Sequence, residues 1–377
     1  IFFKSGSYLM DTAAFMRKWM KDLMDRQTEQ GKVHCIVPSV GNEGYIGPMD
    51  GCAGWADAMI LIPFRYQQMY GDMQMVQWTF PAMEKYARFM IGRTNRTGLF
   101  GKPVPRTIKK YTVNAGQGFG EWLEPQDVYK QSIKDFIGPK PEESTAYMVW
   151  SLNHLKTMGE WIGRTENNPL YESYIEGGKK AYQYIAYQKA NIPSGRMAKL
   201  IRPLVMDMMT SVQRQEIESQ LLSSLKARDY RIGTGFLSTP LILPLLSQMG
   251  HSDEAYRMLE QEELPGWLYP VKQGATTIWE NWNGEASRNH YSPGSVCEWL
   301  FEHVAGIKLD GRENTFRIEP EIGGSLQICE ASYDSLYGKI GVKWEVQKDE
   351  VLYSSSIPSN TICDFKAQGG TVMKLTA

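Results

Sequence analysis

With 377 residues, 42% of them hydrophobic and 22% charged, the chain is long enough for a large core and an appendage and has an ordinary globular composition. Its 41 basic and 42 acidic side chains leave a net charge of −1, which excludes a nucleic-acid footprint and a polybasic membrane surface. No apolar run reaches the roughly 18 residues of a membrane helix, so no membrane segment is expected.

Helical periodicity dominates as far as residue 306. In DTAAFMRKWMKDLMDRQTEQ (11–30), Phe15, Trp19 and Leu23 recur at every fourth position beside Met16, Met20 and Met24, which makes one broad apolar face. The same pattern predicts helices over 51–72, 73–92, 143–163, 168–188, 214–227, 238–250, 252–261 and 295–306. Between them run long connections rich in glycine, proline and aromatics, notably 34–51 and 112–127, and long loops in compact domains are usually functional. Helix pairs with loops elaborated on one face suggest a toroid, the (α/α)6 barrel, with a central pocket. Roughly ten helices can be read this way, fewer than six complete hairpins need, so the first helices of the toroid are expected to be missing.

Beyond residue 307 the pattern changes to short alternating runs with turn punctuation, RIEPEIGG, LQICEASYD, KIGVKWEVQKDEV, LYSSSIPSNT and TVMKLTA. They predict a small antiparallel, β-sandwich-like domain. The expected division is 1–306 for the helical domain and 307–377 for the β-domain.

The cysteines, Cys35, Cys52, Cys297, Cys329 and Cys363, are odd in number and form no CxxC pair, so free thiols are expected rather than a disulfide framework or zinc site. No phosphate loop, GxSxG or HExxH is present, and GQGFGE (116–121) lacks nucleotide-loop spacing. No metal site and no cofactor are expected.

Carboxylates remain. Hydrolysis of a glycosidic bond needs two of them, one to protonate the leaving oxygen and one to act on a water or on the sugar carbon. The acids set among aromatics are Glu43, Asp57, Glu121 and Glu280. Each, taken alone, is more often a salt bridge or helix cap, and each tryptophan is more often core. A lone His290 is more often a hydrogen-bonded structural histidine. GATTIWENWNGEASRNHYSPGSVCEWLFEHVAGI (274–307) shifts that balance, because Glu280, Trp279, Trp282 and the run Asn289-His290-Tyr291 fall in one loop-like stretch.

TTIWENWNG with SRNHYSPGSVCEWLFEHVAGI strongly resembles the signature of bacterial α-L-rhamnosidases, glycoside hydrolase family 78. GFLSTPLILPLLSQMGHSDEAYRMLEQEELPGWLYPVKQGATT, CAGWADAMILIPFRYQQMYGD, GFGEWLEP and DTAAFMRKWMKDLMDRQTEQGKVHCIVP resemble other segments of that family in matching order. The resemblance implies an (α/α)6 catalytic barrel that removes terminal α-L-rhamnose with inversion. By the same resemblance Glu280 is the general base, Trp55 and Trp122 are pocket aromatics, and His290 contacts the sugar. Asp57 and Glu121 stand at acidic rim positions, and Trp279 adds an apolar wall for the sugar methyl. Ala56 stands for the family's usual Gly and Glu121 for its usual Asp. The family's general acid, a Glu in an Arg-Asp-Glu-Arg motif, has no counterpart here and is expected upstream of residue 1. The implied partner is a rhamnose-containing glycoside or polysaccharide, with upstream β-domains in the same protein. A secreted or periplasmic setting is favoured over a cytoplasmic one. Two other readings stay open: a glycosidase of the same scaffold acting on another sugar, and a non-catalytic sugar-binding protein lacking the acid.

Overall fold

A computed structural model describes residues 1–376 apart from 42, 43, 45, 189–195, 312, 313, 349 and 369–371. Glu43 therefore lies outside the described residues.

Helices fill the first part of the chain, from Phe3–Leu9 to the closing turns at Val296–Trp299 and Leu300–Val304. Met73–Gly92 begins where Asp72 accepts the backbone N–H groups of Gln74 and Met75, at 2.9 and 3.3 Å, which are orphan donors of the first turn. Ser211–Ala227 opens on a capping box between Thr210 and Gln213. Pro141–Trp161 packs beside both Asn168–Tyr182 and Met73–Gly92, and Met148, Leu152, Leu155 and Met158 are buried along it. The helix expected over 51–72 starts only at Ala58, because residues 52–57 form a turn, and the one expected over 11–30 is Ala13–Asp25. Met197–Val205 and Leu268–Lys272 are helices that the periodicity missed. No helix among the described residues is long and apolar enough to cross a membrane.

The strands that follow are β1 (Ile307–Lys308), β2 (Thr315–Ile318), β3 (Ile328–Ser335), β4 (Gly338–Gln347), β5 (Glu350–Ser356), β6 (Ile362–Lys366) and β7 (Val372–Thr376). They form two sheets, ordered β1-β2-β6-β7 and β3-β4-β5. The described pairings are antiparallel except β2 with β6, which is parallel. Phe316, Ile318, Tyr333, Ile340, Val342, Cys363 and Phe365 join the two sheets in the same buried cluster as the helices.

The seam between helices and strands is well bonded. Trp344, fully buried, donates its Nε1–H to the Val304 carbonyl at 2.8 Å. The Tyr8 ring stacks on Phe301 at 4.8 Å, meets Tyr333 edge-on at 5.4 Å, and its hydroxyl donates to the Ile307 carbonyl at 3.0 Å. Glu321 pairs with His303 at 2.7 Å, while its carbonyl accepts the Tyr256 hydroxyl at 2.6 Å. The cysteines are all free thiols in this fold.

Candidate active site

The loop after Leu268–Lys272 folds back on itself. The Glu280 N–H donates to the Ser287 carbonyl at 2.8 Å and the His290 N–H to the Ile278 carbonyl at 2.9 Å. Trp279 holds this loop together from inside. Its ring is 8% exposed, and the Arg288 guanidinium covers it at 5.1 Å from the centroid. Position 284 must be glycine: φ is +74°, and a Cβ there would stand 2.7 Å from the indole. Trp279, expected as a wall of the sugar pocket, packs here against Gly284 and under Arg288.

Glu280 points elsewhere. It is partly exposed, accepts the Ser287 N–H at 3.3 Å, and makes no ion pair among the described residues. His290 sits close enough to feel its charge. Burial pulls the imidazole below its ordinary pKa, and Glu280 opposes this only in part, so the ring is neutral near pH 7. The Ser292 N–H donates to His290 Nδ1 at 3.3 Å, which assigns the proton to Nε2 and makes that edge a donor.

Two further loops meet this one. In the first, the Asp57 carboxylate accepts the Gly54 N–H at 2.8 Å and closes the turn that presents Trp55. Gly54, at φ +81°, lies so close to Leu237 that a Cβ would stand 2.4 Å from it. Trp55 tilts against Phe119 at 4.8 Å, Phe119 meets Trp122 edge-on at 6.0 Å, and Phe136 packs against both Phe119 and Trp122. In the second, the Trp122 carbonyl accepts the Phe236 N–H at 2.9 Å, and the Phe236 ring lies 5.2 Å from His290. Phe119 thus contacts both Trp55 and Trp122, and Phe236 links the Trp122 backbone to the His290 ring. Phe119, Phe136 and Phe236 were not singled out from the sequence, where single phenylalanines look like core.

Two expected rim acids are not at the rim. Asp57 is fully buried and accepts the Ser151 hydroxyl as well as Gly54; burial pushes its pKa up against these bonds. The Glu121 side chain is 2% exposed and accepts the Ser238 N–H at 3.1 Å, the Ser238 hydroxyl, and Arg202 Nη2 at 2.8 Å. Both carboxylates are buried and hydrogen-bonded, Asp57 to the turn that carries Trp55 and Glu121 to Ser238 and Arg202. Arg202, 3% exposed, also makes two bonds to Glu142, at 2.6 and 2.7 Å, and reaches Glu143 at 3.4 Å. Burial pushes the Glu143 carboxyl up to about 7, Arg202 opposes this, and Glu121 and Glu142 add to it. Arg202 was missed in the sequence, where it reads, like Lys199, as a cation in a short apolar stretch.

Residues 1–304 match the bacterial α-L-rhamnosidase six-hairpin glycosidase domain, and residues 314–371 match the bacterial α-L-rhamnosidase C-terminal domain. The chain belongs to the bacterial α-L-rhamnosidase family. An α-L-rhamnosidase of Streptomyces avermitilis is 30% identical over 379 residues, covering 97% of this chain and 34% of that protein. One from Formosa agariphila is 24% identical, over 97% of this chain and 39% of that protein. The chain thus spans a little over a third of the length of these curated relatives. The crystal structure of the Streptomyces avermitilis rhamnosidase complexed with L-rhamnose superposes with a TM-score of 0.81 over 97% of this chain and 34% of that one. The Aspergillus terreus rhamnosidase, at 24% identity, shares the fold with a TM-score of 0.81 over 98% of this chain and 43% of that one. The helical part is accordingly a six-hairpin glycosidase domain of the rhamnosidase family, followed by that family's C-terminal β-domain.

Proposed function

We propose that this rhamnosidase-family domain removes terminal α-L-rhamnose from glycosides or polysaccharides with inversion, and that Glu280 is its general base. The observation that carries this is the state of Glu280. It is a partly exposed carboxylate with one long backbone bond, on the loop that also carries His290 and meets the Trp55–Trp122 aromatics. A base must be ionised and able to take a proton, and a carboxylate tied up by a cation would lose basicity. Trp55 and Trp122 supply the apolar surface that a 6-deoxy sugar's methyl and ring face need. His290 Nε2–H donates to a sugar hydroxyl. Glu280 takes a proton from water as the oxygen attacks the anomeric carbon and the glycosidic bond breaks.

The leaving oxygen needs a proton from a second carboxyl group, roughly 6.5–9.5 Å from the base in an inverting enzyme. We assign that acid to the Arg-Asp-Glu-Arg motif of the family, outside these 377 residues. Catalysis is assigned to residues 1–306, with 307–377 as a β unit that buttresses the barrel through Trp344 and Tyr8.

In the full-length protein, Glu280→Gln is expected to lower kcat on an aryl α-L-rhamnoside by about 10²–10⁴-fold, with a much smaller change in KM. Proton NMR of the first product should show the anomer opposite to the substrate's. Turnover that survives the substitution nearly unchanged would remove Glu280 from the role of base. Equal release from other aryl glycosides would remove rhamnose as the substrate.

A further inference from the structure

We propose that Cys35 and Cys52 are a redox-sensitive pair that closes to a disulfide and thereby locks the turn carrying Trp55. Their Sγ atoms lie 3.7 Å apart, and both are free thiols in this structure. Backbone bonds hold the two segments side by side. The Gly51 N–H donates to the Val33 carbonyl at 2.8 Å, and the Cys35 N–H to Asp50 Oδ1 at 2.9 Å. Asp50 Oδ2 bonds His34 Nδ1 at 2.7 Å, so one carboxylate ties residues 34 and 35 to the stretch just before Cys52. The Cys35 Sγ–H donates to the Met49 carbonyl at 3.3 Å, which aims that thiol across the pairing. A disulfide needs roughly 2.05 Å between its sulfurs, so closing the pair takes an approach of about 1.7 Å.

Cys52 touches both segments that present the aromatic rings. It opens the turn of residues 52–57: its carbonyl accepts the Ala56 N–H at 3.0 Å, and Asp57 closes on the Gly54 N–H around Trp55. On its other side, a Cβ on Gly118 would stand 3.4 Å from the Cys52 Cβ, and the Phe119 backbone bonds the Cys52 thiol. The two sulfurs differ in access. Cys52 is 1% exposed, whereas Cys35 is half-buried. The contact with Cys35, and then burial, hold the Cys52 thiol well above its ordinary pKa, which makes Cys35 the first to react. With a low-molecular-weight disulfide as oxidant, the Cys35 thiolate attacks one sulfur and expels a thiolate, leaving a mixed disulfide on Cys35. Cys52 then gives up its proton and attacks Cys35 Sγ, which expels the second thiolate. The two cysteine protons end on the two released thiols, and the two electrons that the protein loses reduce the oxidant. Locking of the turn needs no assumption about which glycoside the domain cleaves.

The test uses the full-length protein, reduced and then exposed to oxidised glutathione at neutral pH. Trypsin releases both thiols on one peptide, 33–65, because no lysine or arginine lies between Lys32 and Arg65. After oxidation that peptide is expected to be lighter by two hydrogen atoms and closed to iodoacetamide, and dithiothreitol is expected to restore it. Hydrogen exchange of the amides over 50–57 is expected to slow about tenfold, because the bond joins positions 17 apart in the chain. The melting temperature should rise by about 3 °C. Cys35→Ser, which keeps a donor for the Met49 carbonyl, must abolish both changes, and Cys297→Ser must leave them. If Cys35→Ser folds poorly, Cys52→Ala must abolish them instead. Glutathione that stays on Cys35 without closure, unchanged exchange over 50–57 in the closed form, or a melting shift that survives Cys35→Ser overturns the pair.

Discussion

Glu121 precedes Trp122 and Glu280 follows Trp279, yet the two carboxylates live in opposite surroundings. Glu121 is sealed from solvent with Glu142 and Glu143 around one guanidinium, and Ser238 takes up its remaining capacity. Glu280 meets a single backbone N–H, at 3.3 Å, and lies near enough to His290 for its charge to be felt there. A carboxylate surrounded by a cation and donors has its bonding capacity filled by the fold; one with a single long bond keeps capacity for a further partner. The comparison teaches that an acid beside a tryptophan in sequence is no guide to role until its other partners are known. In this chain the bonded partners of Glu121, Arg202 and Ser238, stand 81 and 117 residues beyond it.

The comparison breaks most visibly at Arg202. Arg202→Met removes the cation and leaves Glu121, Glu142 and Glu143 crowded in a dry site. The expected cost is about 3–5 kcal/mol, the usual range when one partner of a buried ionic network is deleted. Chemical denaturation of the two proteins measures it. A loss under about 1 kcal/mol would mean that the cluster is wetter than its burial indicates. Glu280→Gln should leave the same denaturation curve almost unmoved, since that side chain accepts only one long backbone bond, which the amide oxygen can keep.

The charged cluster also titrates. Glu143 is raised to about 7 from an ordinary 4.5, so its contribution is fully present below pH 4.5 and is lost as pH rises through 7. His154 is lowered to about 4 from 6.5, by burial more than by anything else, despite its 2.7 Å contact with the Trp150 carbonyl. Its contribution is fully present above pH 6.5 and is lost as pH falls towards 4. Between 4.5 and 6.5 the two groups oppose each other, and each is worth about 2 kcal/mol across that window. Glu143→Gln is therefore expected to lose about 2 kcal/mol more than the unaltered protein when acidified from pH 6.5 to 4.5, and His154→Gln about 2 kcal/mol less. Urea unfolding at the two pH values reads both slopes. Slopes of the same sign would show that one of the two groups is solvated in the folded protein.

Much of this architecture could be read from side-chain spacing. Met73–Gly92 was bounded correctly because its apolar period is long and Asp72 sits where a cap belongs. The switch to strands was visible because alternation replaces the helical period near Ile307. Met197–Val205 was not visible: it is short, contains Pro203, and carries Arg202 on a face that is otherwise apolar. The candidate site was legible only in pieces. Trp55 and Trp122 both contact Phe119 and His290 lies near Phe236, while Asp57, Glu121 and Trp279 are buried. Direction is what spacing within one short segment cannot encode, since it depends on Ser151, Arg202 and Ser238, which lie far away in sequence.

Asp57 gives the finest test of that distinction. If its carboxylate only anchors the Trp55 turn, then Ser151, which donates to it from the neighbouring helix and faces no sugar, must matter as much. Asp57→Asn places an amide N–H₂ against donors from Ser151 and Gly54, while Ser151→Ala removes one donor and leaves the carboxylate short of a bond. Each is expected to cost about 1–2 kcal/mol of stability. Because the two residues share one bond, the double variant should cost about 1 kcal/mol less than the sum. KM for an aryl rhamnoside should shift by less than about threefold in both single variants, since Trp55 keeps its contact with Phe119. A large rise in KM in Asp57→Asn alone, with Ser151→Ala silent, would put the carboxylate back in touch with the sugar and erase the line drawn here between supporting acids and the reacting one.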